Sequence, residues 1–110
     1  YVDDMANASV HIMNLDKLIY NKYCSEFCSH INAGSGEDLS IRKLSEIIQK
    51  IVGYEGQINF DITKPDGSPR KFLDSKRLNS LGWSPKISLE NGLIKTYDNF
   101  LKIINDKKFL

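Results

Sequence analysis

Between positions 63 and 69 the chain reads Thr-Lys-Pro-Asp-Gly-Ser-Pro, and neither a helix nor a central strand can run through it. Pro65 and Pro69 remove backbone donors and fix φ, while Asp66-Gly67 favours a turn. This break separates an acidic stretch from a basic one. Residues 1–63 hold nine acidic and five basic side chains, a net −4, whereas residues 64–110 hold ten basic and five acidic, a net +5. The basic excess opens at Lys64 and continues through Arg70, Lys71, Lys76 and Arg77. The chain as a whole is nearly neutral, with fifteen cations against fourteen anions. No strong net field therefore draws it to nucleic acid or anionic lipid.

Hydrophobic spacing on either side of the break sets the expected elements. Met5, Ala8, Ile12 and Met13 recur at helical intervals and predict a first helix over residues 3–18, with Asp3 or Asp4 accepting from its first-turn amides. Residues 19–29 have no clean period and read as a variable connection or a helical extension. Residues 30–33 read as a short strand broken by Gly34-Ser35-Gly36. Ser40 then caps a helix whose stripe is Ile41, Leu44, Ile47, Ile48, Ile51 and Val52, and Gly53 closes it in a left-handed turn. Alternation over 57–62 predicts a half-buried strand, and Phe72-Leu73 a brief extended piece. A short helix over 75–81 ends at Gly82. Ser88 caps a last helix that carries Leu89, Leu93, Tyr97, Phe100, Leu101 and Ile104 on one face.

At 110 residues the chain suffices for one domain. It lacks both a signal peptide pattern and the run of about 20 apolar residues that spans a bilayer. Its two cysteines, Cys24 and Cys28, are too few for a disulfide scaffold and favour a reducing, cytoplasmic compartment.

Several residues invite a chemical reading. Lys64, Arg70 and Lys71 set up to three cations around the rigid turn, where Arg grips phosphate with a planar fork and Lys acts as a point charge. Asp66 is an acceptor for hydroxyl or base donors; the plain alternative is a solvated turn. Gly34-Ser35-Gly36 joins a strand to a helix, but Leu39 stands where a dinucleotide fingerprint needs its third glycine. Cys24, Cys28 and His30 lack the second ligand pair of a zinc cluster, so ordinary thiols are expected. Asp3 and Asp4, as helix neighbours, point apart and suit capping better than a carboxylate pair. Trp83 reads as a packing aromatic.

Four segments together resemble the GDP-L-fucose synthase family of extended short-chain dehydrogenases/reductases. They are Tyr1-Val2-Asp3-Asp4-Met5-Ala6, His30-Ile31-Asn32-Ala33-Gly34-Ser35-Gly36, Lys64-Pro65-Asp66-Gly67-Ser68-Pro69-Arg70-Lys71, and Leu81-Gly82-Trp83 followed by residues 87–93. The third is the most selective. The resemblance implies an α/β fold of about four helices with short strands. It implies that residues 1–110 are a single C-terminal, substrate-binding region, separated from an N-terminal NADP-binding Rossmann domain. It also implies the conversion of GDP-4-keto-6-deoxy-D-mannose to GDP-L-fucose by epimerisation and NADPH reduction. Within it, Asp66 matches a substrate-binding aspartate, Lys71 a lysine near the substrate diphosphate, and Arg70 its neighbour. No catalytic, cofactor-binding or metal residue can be matched, so the chain alone is expected to be inactive. The implied ligand is a GDP-sugar, the cofactor NADP sits on the other domain, and the whole enzyme is a homodimer. A related GDP-4-keto-heptose epimerase-reductase and a non-catalytic nucleotide-sugar-binding module are the alternatives.

Overall fold

A computed structural model describes residues 1–106 and resolves them into two compact units. The first comprises residues 1–38 and 71–87; the second comprises 39–70 and the stretch from Ser88 onward. Five helices occur among the described residues.

In the first unit, α1 (Val2–Met13) and α2 (Lys17–Tyr23) replace the single helix expected over 3–18. The break has a local cause. The Asp16 carboxylate accepts the Leu18 amide at 2.7 Å, starting a new helix where the old one would have continued. α4 (Lys76–Ser80) follows Ser75 and is closed by Gly82 at φ +89°. The core of this unit gathers Ala8, Leu78 and Trp83, with Ile12, Ile31 and Ala33 packed against it. Leu78 has no exposed surface.

Three polar side chains on the core-facing side of α1 bind the segment after α4 in antiparallel order. Asp4 accepts the amides of Ile87 at 2.8 Å and Lys86 at 3.1 Å. Asn7 accepts the Trp83 indole N–H at 2.9 Å. His11 Nε2 meets the Leu81 carbonyl at 2.9 Å. Spacings of three and four residues place these groups on one helix face, so α1 docks with a row of hydrogen bonds beside its apolar contacts. Asp4 is thus not the cap of its own helix. It satisfies amides more than eighty positions away.

In the second unit, α3 (Ile41–Val52) begins as expected. Ser40 Oγ accepts the Lys43 amide at 3.2 Å, and Gly53 closes the helix at φ +69°. α5 (Leu89–Asn105) starts at Ser88, whose Oγ accepts the Asn91 amide at 3.3 Å. The two helices pack on each other. Between them lies an apolar groove of about 240 Å³ lined by Ile48, Ile51, Val52, Leu93, Tyr97 and Phe100. Among the described residues of this unit no large apolar side chain is fully buried.

The expected α/β character is not borne out: the described residues are mostly helical. Residues 30–33, 57–62 and 72–73 form no strand, and Ile62 lies in a turn. The alternation over 57–62 has another physical origin. Phe60 lies under the Arg42 guanidinium, 4.1 Å from its ring centre, and Gln49 Nε2 donates to the Gly56 carbonyl at 2.7 Å. Side chains of α3, rather than a neighbouring strand, hold this segment. Ser25 and Cys28 do exchange backbone hydrogen bonds, at 3.2 and 3.1 Å, around a two-residue turn.

Candidate functional site

The proline-flanked loop is built from firm anchors at either end. On the second unit, Asp61 accepts both the hydroxyl of Thr63 at 2.6 Å and its amide at 2.9 Å. The hydroxyl bond first, and then the amide bond, hold the Asp61 carboxyl below its ordinary range. This Asx turn directs the chain into Lys64-Pro65. On the first unit, the Asp74 carboxylate accepts the Lys76 amide at 2.9 Å and the Asp74 carbonyl receives Asn32 Nδ2 at 3.4 Å. The buried Ser75 hydroxyl donates to the Gly34 carbonyl at 3.2 Å.

Between these anchors residues 64–70 form neither helix nor strand, and Lys64, Asp66, Arg70 and Lys71 all expose their side chains. The turn expected at Asp66-Gly67 does not form: the chain turns at Ile62-Thr63 instead, and a side chain added at Gly67 would meet nothing within 4 Å. Arg70 and Lys71 are consecutive cations, with Asp66 four positions upstream. Asp66 and Arg70 belong to the second unit and Lys71 opens the return stretch of the first. On the second unit the exposed Asp66 and Arg70 offer a carboxylate acceptor and a planar guanidinium donor, and on the first unit the exposed Lys71 offers a further cation.

The other candidates from the sequence are placed differently. Asp3 is exposed while Asp4 is buried, so the two carboxylates do not converge. His11 is occupied by the Leu81 carbonyl, and Trp83 is a packing residue, 7% exposed. In the Gly34-Ser35-Gly36 loop the Ser35 hydroxyl turns to Glu37, accepting its amide at 3.3 Å and donating to its carbonyl at 3.2 Å. The nearest helix start is taken by the Ser40 hydroxyl. The loop therefore offers no phosphate cradle, and these residues do not fit a dinucleotide. No group of three metal-ligating side chains occurs among the described residues. No described helix is long and apolar enough to cross a membrane.

What the sequence reading missed is the row Asp4, Asn7 and His11. Its signal was present: polar residues at helical spacing on the same face as Ala8 and Ile12.

No family model matches the chain. Among curated proteins it is 51% identical over 102 residues to GDP-L-fucose synthase of Escherichia coli (strain K12). The chain is a relative of the GDP-L-fucose synthases. GDP-L-fucose synthase 1 of Arabidopsis thaliana is 46% identical over 102 residues, and GDP-L-colitose synthase of Yersinia pseudotuberculosis 36% identical over 107. These matches cover 93%, 93% and 96% of this chain but 32%, 29% and 32% of the respective relatives. The chain thus spans about a third of the length of the GDP-L-fucose synthases it matches. Among solved structures, one named DdhaC superposes with a TM-score of 0.74 at 35% identity, covering 93% of this chain and 28% of that one.

Proposed function

We propose that this chain is the substrate-binding region of an NADP-dependent nucleotide-sugar epimerase-reductase of the extended short-chain dehydrogenase/reductase type. Its substrate is GDP-4-keto-6-deoxy-D-mannose and its product GDP-L-fucose. The observation that carries this reading is the match to GDP-L-fucose synthases over 102 of 110 residues. A stretch of that length includes the central loop 64–71. Lys71, with Arg70 beside it, holds the diphosphate by charge-assisted bonds, and Asp66 accepts from a hydroxyl or base donor.

The division of labour follows from what these residues can do. They bind and orient; none is placed to abstract a proton or deliver a hydride. NADP, when bound elsewhere in the enzyme, supplies the hydride that reduces the C4 ketone. The likeness to GDP-L-colitose synthase supports a GDP-linked deoxy sugar as the ligand class. We place the enzyme in the cytoplasm, in keeping with its two unpaired thiols, acting as a homodimer without nucleic acid.

Calorimetric titration of the chain with GDP and with GDP-L-fucose tests the reading. Weak binding, strengthened when residues 64–71 are placed in a complete enzyme, is expected of one side of a divided site. Tight binding by the chain alone would instead make it a free-standing nucleotide-sugar module. Absence of any effect of GDP on a complete enzyme would overturn the assignment.

A further inference from the structure

The first unit holds a second cluster of reactive side chains that the sugar-nucleotide reading leaves unused. Arg77 extends from α4 and places Nη1 3.7 Å from the Cys28 sulfur and 3.2 Å from the His30 carbonyl, to which it donates. His30 Nδ1 lies 4.0 Å from the same sulfur. The guanidinium also reaches Cys24, and the cysteines, Cys28 foremost, hold it above its ordinary range. Both thiols are free and half-buried. Ser25 and Cys28 close a tight turn at Glu26-Phe27 with reciprocal backbone bonds, so Cys28 stands at one end of it and Cys24 directly before the other. Beside Cys24 lies a cavity of about 390 Å³ lined by Tyr20, Asn21, Ser25, Glu26 and Ser29, a volume that suits a small molecule.

Arg77 Nη1, 3.7 Å from the Cys28 sulfur, sets a fixed positive charge beside an atom that carries negative charge during disulfide exchange. We propose that Cys28 and Cys24 form a two-thiol exchange site for low-molecular-weight disulfides. The Cys28 thiolate attacks one sulfur of the small disulfide. A protein–S–S–R bond forms, the R–S–S–R bond breaks, and R–S⁻ leaves to take a proton from solvent. Cys24, losing its proton to solvent, then attacks the Cys28 sulfur and expels the second R–S⁻. The protein is oxidised to an intramolecular disulfide while the small disulfide is reduced to two thiols. In a reducing compartment such a bond is transient, and ambient thiols reverse it.

The test uses the reduced 110-residue chain and glutathione disulfide, with products read by intact mass and peptide mapping. The chain is expected to lose two hydrogens and stay monomeric. Cys24→Ser is expected to stop at a glutathionyl group on Cys28. Exchange at Cys28 should run several-fold faster in the folded chain than in urea at the same pH. Arg77→Gln should abolish the difference and Arg77→Lys keep most of it, with folding of each checked by Trp83 emission. The proposal fails if the folded chain reacts no faster than the unfolded one. It also fails if Arg77→Gln leaves a folded variant at the original rate, or if Cys28→Ser is glutathionylated at Cys24 as fast as the parent chain is at Cys28.

Discussion

Asn7 and Trp83, 76 positions apart in the chain, meet through an indole N–H bond of 2.9 Å to the amide oxygen. That bond fixes the chain's single tryptophan against α1 and closes the middle of the row that begins at Asp4 and ends at His11. The row uses a side chain at each turn of α1, so polar bonds fix the register of the helix on a segment whose Leu81 and Trp83 supply the buried apolar contact.

Replacing Asn7 by Ala strands the indole N–H at a site where Trp83 is nearly buried. An unsatisfied donor of this kind costs about 1–2 kcal/mol. Urea unfolding followed by Trp83 emission should show that loss, with a red-shifted folded-state spectrum as water reaches the ring. An unchanged midpoint and spectrum would mean the bond carries no weight.

Asp4 makes stability depend on pH in a defined direction. The Ile87 amide chiefly, with the Lys86 amide, lowers its carboxyl below the ordinary range despite opposing desolvation. A carboxyl that titrates lower in the folded chain than in the unfolded one contributes fully above its unfolded value, near pH 4. The contribution is lost as pH falls through the lower folded value. Asp4→Asn retains an acceptor of the same shape without the titration. The stability gap between parent and variant should be widest near neutral pH and shrink below about pH 4. A gap that stays constant into acid would show that the charge is not what the two amides bind.

The helix starts at Ser40 and Ser88 and the stop at Gly53 are legible in the sequence, because a cap is decided by residues within about four positions. Asp4 is not legible in the same way: its partners lie 82 and 83 positions downstream. The stretches 30–33 and 57–62 mislead for a related reason. Alternation predicts a burial that the structure gives only in part, since Ile62 is 93% exposed. The Phe60 ring finds its neighbour in Arg42 with no strand beside it. For the loop 64–71, residue types reveal what it can bind. The direction it faces depends on distant parts of the chain and has no local signal.

Two glycines separate conformational from steric cost. Gly53 sits at φ +69°, and an added Cβ there would meet nothing within 4 Å. Gly53→Ala should therefore lose about 1 kcal/mol through the backbone alone. At Gly34 the backbone is ordinary, but a Cβ would come within 3.2 Å of Ser75 Oγ and 3.3 Å of Leu73 Cβ. Gly34→Ala should push Ser75 off the Gly34 carbonyl and perturb the entry to α4. Amide exchange read residue by residue distinguishes the two: faster exchange confined to the end of α3 in the first variant, and at residues 73–77 in the second.

Lys71 provides the most direct test of the sugar-nucleotide reading. In a complete enzyme bearing this chain, Lys71→Ala removes a cation from the diphosphate before and during the reaction alike. It should raise KM roughly tenfold or more, as loss of a charge-assisted contact does, while kcat changes little. Asp66→Asn should weaken GDP-sugars more than free pyrophosphate, because its acceptor addresses the neutral part of the ligand. Arg70→Ala provides the comparison, since its guanidinium neighbours Lys71 in the same exposed stretch. An unchanged KM in both cation variants would remove the loop from the binding site, and a fall in kcat at constant KM would make it part of the chemistry instead.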